Sequence, residues 1–384
     1  MKTRIAVNPA LLAWARERAR MDALTLAKRF PKIAQWEDGS LPPTLRQLEE
    51  FARVAHVPIG YLFLAEPPHE TLPVSDFRTL ASHHIMRPSP NLLDTLYLCQ
   101  QRQDWFRDYA RIHGLRRLAF VGSVRLQDDV LQVARSMRHT LGLTVADRIR
   151  LPTWTDALRQ LTAKAEDAGV LVMASSIVGS NSHRRLDMEE FRGFALADDL
   201  APLVFINAAD SKAAQMFTLA HELVHLWLGE SGVSDVEAGR VPQQHVERWC
   251  CAVAAELLAP LEDLRKEFHA DAPLAEEIQR LARVFKVSSL VAIRRLFDAG
   301  HIDQATLWAV YREELARLRR LDQGVKGGGD FYRTLGVRTG KRFARAVLIS
   351  TLEGHTLFQD AFRMLGVRKT ATFYQAAREM GVML

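Results

Sequence analysis

The chain has 384 residues, 48% hydrophobic and 25% charged, with a formal net charge of +6 and three cysteines, and a pI near 9.3. That length accommodates two or three domains with separate cores, and the composition is that of a soluble globular protein. No apolar run approaches the ~20 residues that span a bilayer, the N-terminus lacks the apolar core of a secretion signal, and the cysteines make no disulfide framework, so no membrane role and a cytoplasmic location are expected. The cation excess permits nucleic-acid binding without demonstrating it.

From Pro9 to Phe63 the pattern is one of several short helices. Pro9 opens the first, with Leu11, Leu12, Ala15 and Ala19 on its inner face; Asp22 caps the next, which carries Leu24, Leu26 and Ala27. Trp36-Glu37-Asp38-Gly39, then Pro43 to Leu48, resembles the W-E-x-G turn and following helix of Xre-type helix-turn-helix heads. The resemblance implies operator binding through the helix before the Trp, with Lys28, Arg29, Lys32 and Arg46 as candidate DNA contacts. Here the spacer from Ala27 to Trp36 is shorter than the repressor pattern and Pro31 interrupts it, so that helix is expected to be about one turn.

The Pro-rich stretch Ala65 to Pro73 closes a head spanning residues 1–66, and residues 67–124 read as a helical linker. Ser75-Asp76-Phe77-Arg78-Thr79 looks like the D-F-R-[ST] segment that follows such heads, and no chemical role attaches to it. Residues 91–112 form a helix whose Trp105, Phe106 and Tyr109 are expected to pack in a core.

Residues 125–323 read as the next domain. Amphipathic helices are expected over 128–141 and 154–168, closing at Gly142 and Gly169. Val170 to Val178 and Phe191 to Asn207 are strand-rich, with a turn over residues 197–202 and with His183, Arg184 and Arg185 in a loop between strands. Helices, then a small sheet, then a further helix make this an α+β fold, mainly helical, behind an all-α head. An edge strand there would present an extended peptide by β-augmentation.

The chemistry concentrates in Phe217-Thr218-Leu219-Ala220-His221-Glu222-Leu223-Val224-His225. His221 and His225 lie one helical turn apart on one face, so both imidazoles reach a single ion. Glu222 projects about 100° round the helix, away from the ligand face and suited to take a proton from the attacking water. A catalytic zinc site takes a third protein ligand. Glu247 is the best placed, beside the apolar stripe Val246, Trp249, Cys250, Val253 and Leu257, where an unpaired carboxylate is costly. His245 and Glu256 are rivals, and a Cys251 thiolate is a further candidate.

The run Phe217 to His225, followed by E-x-x-C-C-x-V-A-A-x-L-L-A-P from Glu247, is similar to the ImmA/IrrE family of zinc-dependent endopeptidases. Arg192-Gly193-Phe194-Ala195-Leu196 and Pro202 to Asn207 resemble that family's strands before the metal helix. Cys250 and Cys251 stand where the family has Ala and Asn, Val253 where it has Phe, and Ala259 where it has Met. The resemblance implies Zn2+ on His221, His225 and Glu247, with Glu222 as general base. It also implies cleavage of a regulatory protein, a repressor, antitoxin or toxin encoded nearby, in a stress, phage-defence or toxin-antitoxin setting. The alternative is a non-catalytic DNA-binding antitoxin that uses the fold as a scaffold; the intact Glu222 argues against it.

Beyond Pro260 the chain is helical, with a second helix-turn-helix-like stretch from Leu281 to Leu296 capped by Ser288 and a basic helix from Arg312 to Arg320. Gly324 to Gly329 reads as a linker to a small helical tail, residues 324–384 in all. There is no P-loop, no G-x-G-x-x-G, no C-x-x-C pair and no internal repeat.

Overall fold

The computed structural model of the chain describes residues 3–78, 87–235, 242, 244–321 and 331–382. Thr79 of the D-F-R-T run and the linker expected at 324–329 lie outside the described residues. Two compact units emerge: residues 3–73 with 87–97, and residues 74–78 with 98–382.

In the first unit, α1 (Pro9–Arg18), α2 (Ala23–Arg29), α3 (Ile33–Glu37) and α4 (Leu45–Val54) precede a 3₁₀ turn at Ile59–Phe63. The starts are set by local chemistry: Asn8 caps α1 ahead of Pro9, Asp22 accepts from the Thr25 N–H, and Thr44 with Gln47 forms a reciprocal capping box. Leu11, Leu12, Leu26, Ile33, Leu48 and the Phe30, Trp36 and Phe51 ring cluster make the core. Of the two leucines in α2, Leu26 is buried and Leu24 exposed, because a seven-residue helix has room for few inward positions and Leu26 takes the central one. The helix before Trp36 is short, and Trp36 lies within the five residues of α3.

The second unit begins with β1 (Ser75–Asp76) and receives the C-terminal part of α5 (Pro90–Ile112). Then come α6 (Val130–Leu141), α7 (Val145–Ile149), α8 (Trp154–Asp167), β2 (Leu171–Ser175), β3 (Ile177–Val178), β4 (Asn181–Arg185), β5 (Gly193–Leu196), β6 (Leu203–Asn207), α9 (Lys212–Leu228), β7 (Gly232–Ser234) and α10 (His245–Leu258). The strands form a mixed five-stranded sheet in the order β1-β7-β5-β6-β2, and β3 pairs with β4 in a separate hairpin. Mainly helical with a small mixed sheet, this is an α+β arrangement. His183, Arg184 and Arg185 were expected in a loop; they belong to β4, because a two-residue turn at Gly179-Ser180 folds the chain back on β3, with Val178 opposite Asn181.

Strands β5 and β6 are antiparallel, with Leu196 opposite Leu203 and Gly193 opposite Ile206, and every residue of both is buried. Their hairpin is held by α5. Gln103 donates to the carbonyls of Leu196 and Ala201 at 2.9 and 2.8 Å, and Arg107 pairs with Asp198 at 2.7 Å. Helix α9 packs on β5 and β6, and α8 and α10 pack on α9.

After α10, α11 (Leu261–Glu267), α12 (Leu274–Phe285), α13 (Ser289–Asp298) and α14 (Gln304–Leu321) continue the unit, and Ser288 caps α13 by accepting from the Val291 N–H. The last helices, α15 (Phe331–Thr339), α16 (Lys341–Leu352), α17 (Phe358–Leu365) and α18 (Thr370–Glu379), are joined to the sheet: α15 and α16 pack on β2, and the buried Arg102 donates to the Met364 carbonyl at 3.1 and 2.9 Å. Among the described residues no helix is long and apolar enough to cross a membrane.

Candidate metal centre

Helix α9 is buried from Gln215 to Trp227. Ser211 caps its start and Gly229 ends it in the left-handed conformation. Its terminal carbonyls are satisfied by the loop between α5 and α6, through the Gly122 N–H on Leu226 at 3.1 Å and the Val124 N–H on Trp227 at 3.2 Å. Where Glu222 meets the sheet, position 193 has to be glycine: a Cβ there would lie 2.6 Å from the Thr218 methyl, 3.0 Å from the Phe205 carbonyl oxygen and 3.1 Å from Glu222 Cγ.

Helix α10 brings Glu247 across from α9. The far end of α10 is clamped by three arginines: Arg138 donates to the Glu256 carbonyl at 2.7 Å, Arg148 to Leu258, and Arg295 to Ala259 at 2.8 Å. These guanidiniums satisfy the carbonyls that a helix C-terminus leaves unpaired and complement its dipole. Burial, with the nearby Arg138 charge, lowers the pKa of Arg148 to about 10.

His221, His225 and Glu247 converge, all fully buried. The two Nε2 atoms are 3.1 Å apart, and Glu247 places one oxygen 3.2 Å from His221 Nε2 and the other 3.0 Å from His225 Nε2. Both Glu247 oxygens nevertheless lack hydrogen-bond geometry to any described group. The carboxylate therefore faces the space between the two imidazoles, whose Nε2 atoms lie at hydrogen-bond distance from each other, and the three groups surround a shared centre. Tetrahedral coordination with bonds of 2.0–2.1 Å sets ligand atoms about 3.3 Å apart, so the triangle fits a small divalent ion such as zinc. Glu222 stands outside the triangle, and its two buried oxygens also have no hydrogen-bond partner among the described residues.

The electrostatics follow from this enclosure. Burial pushes the Glu222 carboxyl up to about 8, against the opposing pull of His221 and with Ser234 close by. Burial acts to raise Glu247 too, but the charge of His221 wins and holds it at about 2. Burial lowers His225, whereas for His221 the Glu247 carboxylate outweighs burial and raises it well above 6.5.

Of the rivals to Glu247, His245 is exposed, and Glu256 is bound to Arg295 and to the Leu261 N–H at 3.2 Å. Cys251 Sγ lies 3.7 Å from His221 Nδ1, and Cys250 Sγ lies 4.0 Å from His225 Nδ1. Both thiols thus face the ring nitrogen opposite the triangle. They are outer partners of the imidazoles, a role that ligand spacing in the sequence does not reveal. A cavity of 410 Å³ beside α10, lined by Phe217, Arg248 and Cys251 among others, includes none of the four site residues.

A family relationship covers this geometry. Residues 165–297 match the IrrE N-terminal-like domain of the peptidase M78 family. The match spans β2 through α13 and supports the resemblance to ImmA/IrrE proteins. Residues 339–379 match a domain of unknown function, DUF8813, and no curated protein matches the chain.

The four head cations are not gathered in this way. Lys28 and Arg29 end α2, Lys32 precedes α3 and Arg46 lies in the first turn of α4; all four are exposed, and Arg29 is paired with Glu50 at 3.0 Å.

Proposed function

We propose that the protein is a zinc-dependent endopeptidase. The observation that carries the reading is the buried triangle of two Nε2 atoms and a carboxylate without hydrogen-bond partners, in a segment matching a peptidase family. His221, His225 and Glu247 would hold zinc, which when bound polarises the scissile carbonyl and eases deprotonation of the attacking water. Glu222 takes that proton and delivers it to the leaving amide nitrogen. Beside a bound dication the Glu222 carboxyl is the anion that can accept this proton, and protonation of the leaving nitrogen returns it to that form. Gly193, by letting α9 settle on β5, sets where this carboxylate stands. The substrate is a regulatory protein of repressor or antitoxin type, and the head contributes DNA binding.

The decisive experiment replaces Glu222 by Gln. The amide keeps the size and leaves both histidines, so the metal should stay while cleavage falls by at least the 10²–10⁴-fold typical of general-base loss. Wild type and Glu222→Gln are co-produced with proteins encoded beside this one, and new termini are sought by mass spectrometry. A zinc-loaded wild type that cuts none of them, with a Gln variant that regulates the locus equally well, would establish the non-catalytic regulator instead.

A further inference from the structure

The segment Ser75-Asp76-Phe77-Arg78 has no part in the reading above, yet it ends at the metal triangle. Ser75 and Asp76 pair in parallel with Gly232 and Val233, with the Ser75 N–H on the Ser231 carbonyl at 3.3 Å and the Phe77 N–H on Val233 at 3.0 Å. This pairing lays the Phe77 ring flat on the His225 imidazole, with centroids 5.1 Å apart and planes inclined by 13°. The neighbouring strand is cut to admit it, since a Cβ on Gly232 would lie 2.1 Å from Phe77 Cε2. Arg78 anchors the segment beyond the ring, bonded to Asp76 at 2.8 and 2.7 Å and facing the buried Glu190 at 3.7 Å. His225 is therefore bounded on three sides: Nε2 by His221 and Glu247, Nδ1 by Cys250, and one ring face by Phe77.

We propose that Phe77 is a positioning residue of the metal centre, carried there by β1 and admitted by Gly232, which holds the His225 imidazole with Nε2 in the triangle. Rotation of that ring about its Cβ–Cγ bond would swing Nε2 out, and a flat aromatic face against the imidazole opposes the rotation. The inference rests on the proposal that His221, His225 and Glu247 hold zinc. A stacked aromatic pair is commonly worth about 2–13-fold in an equilibrium.

The test is zinc release from the full-length, zinc-loaded protein into excess chelator, followed with a chromogenic reporter. Phe77→Ala should release zinc about 2–13-fold faster than wild type. Gly232→Ala, which expels the ring, should do the same, and the double variant should be no faster than the quicker single one, because both remove one contact. Phe77→Leu keeps apolar bulk without a flat face; it guards against a variant that merely fails to fold and should still release zinc faster than wild type. Cobalt(II) in place of zinc supplies a signature that general loosening would not move: its d–d bands should shift in Phe77→Ala and Phe77→Leu alike. Wild-type release rates and unshifted bands in these variants would overturn the inference. So would retained zinc with faster peptide cleavage, which would make the segment an occluding strap. If wild type itself takes up no zinc, the functional proposal falls and this inference with it.

Discussion

The buried triangle predicts that metal is exchanged for protons, in a number that can be counted. In the metal-free site at neutral pH, burial keeps Glu222 protonated, with its pKa up at about 8, and leaves His225 neutral. Glu247, held at about 2, is a carboxylate, and it keeps His221 protonated. One positive and one negative charge cancel. Zinc binding requires a neutral His221, and a dication beside Glu222 returns that carboxyl to its anion, so two positive charges on the metal face two carboxylates. Neutrality is preserved at a buried site by the loss of about two protons, one from His221 and one from Glu222. Each proton makes affinity depend on pH by about 1.36 kcal/mol per unit, so below neutrality zinc should bind about 100-fold more weakly for each unit of acidification. The sign is fixed, because both groups are raised and acidification returns their protons at the expense of the metal. Titration calorimetry in buffers of different ionisation enthalpy counts the protons, and chelator competition across pH gives the slope. Glu222→Gln should release one proton fewer and lose half the slope. Binding that releases no protons, or a Gln variant with an unchanged count, would refute this account of the site.

Three further perturbations test the surrounding fold. Arg295→Leu strands the buried Glu256 carboxylate and one terminal carbonyl of α10; a loss of about 3–5 kcal/mol is expected in urea unfolding, and a loss below about 1 kcal/mol would remove the clamp from the account. Gly193→Ala forces a methyl against Thr218, the Phe205 carbonyl and Glu222; it should cost about 1–3 kcal/mol and depress cleavage more than zinc content. If the head binds DNA, Lys32→Ala should weaken binding to the upstream region of its own gene and flatten the salt dependence, whereas equal binding to unrelated DNA would leave a protein-docking module.

Much of the local structure was legible because it depends on residues close in the chain. Asp22, Thr44 and Ser288 announce helix starts through a side chain that reaches an N–H three residues on, and the β5–β6 hairpin follows from two apolar runs around an Asp-rich turn. His221 and His225 share a helix face by periodicity alone. Local signals were silent at Leu24, where the pattern did not say which leucine of a short helix turns inward. They misled at His183 to Arg185, where polar side chains masked a strand whose pairing is made by the backbone.

What the sequence by itself determined was the pair of imidazoles, the carboxylate set off from them by about 100°, and a short set of candidates for the third position. Choosing among Glu247, His245, Glu256 and Cys251 needed the angle at which α10 crosses α9, because one turn of helix separates a residue that meets both Nε2 atoms from one that faces the opposite ring nitrogen. The arrival of Phe77 is more remote still: residues nearly 150 positions apart meet only because β1 adds to β7, and neither the D-F-R run nor Gly232 shows that pairing before the sheet exists. Positions on one helix are related by a fixed period, whereas contacts between elements depend on packing and strand register that no local spacing encodes.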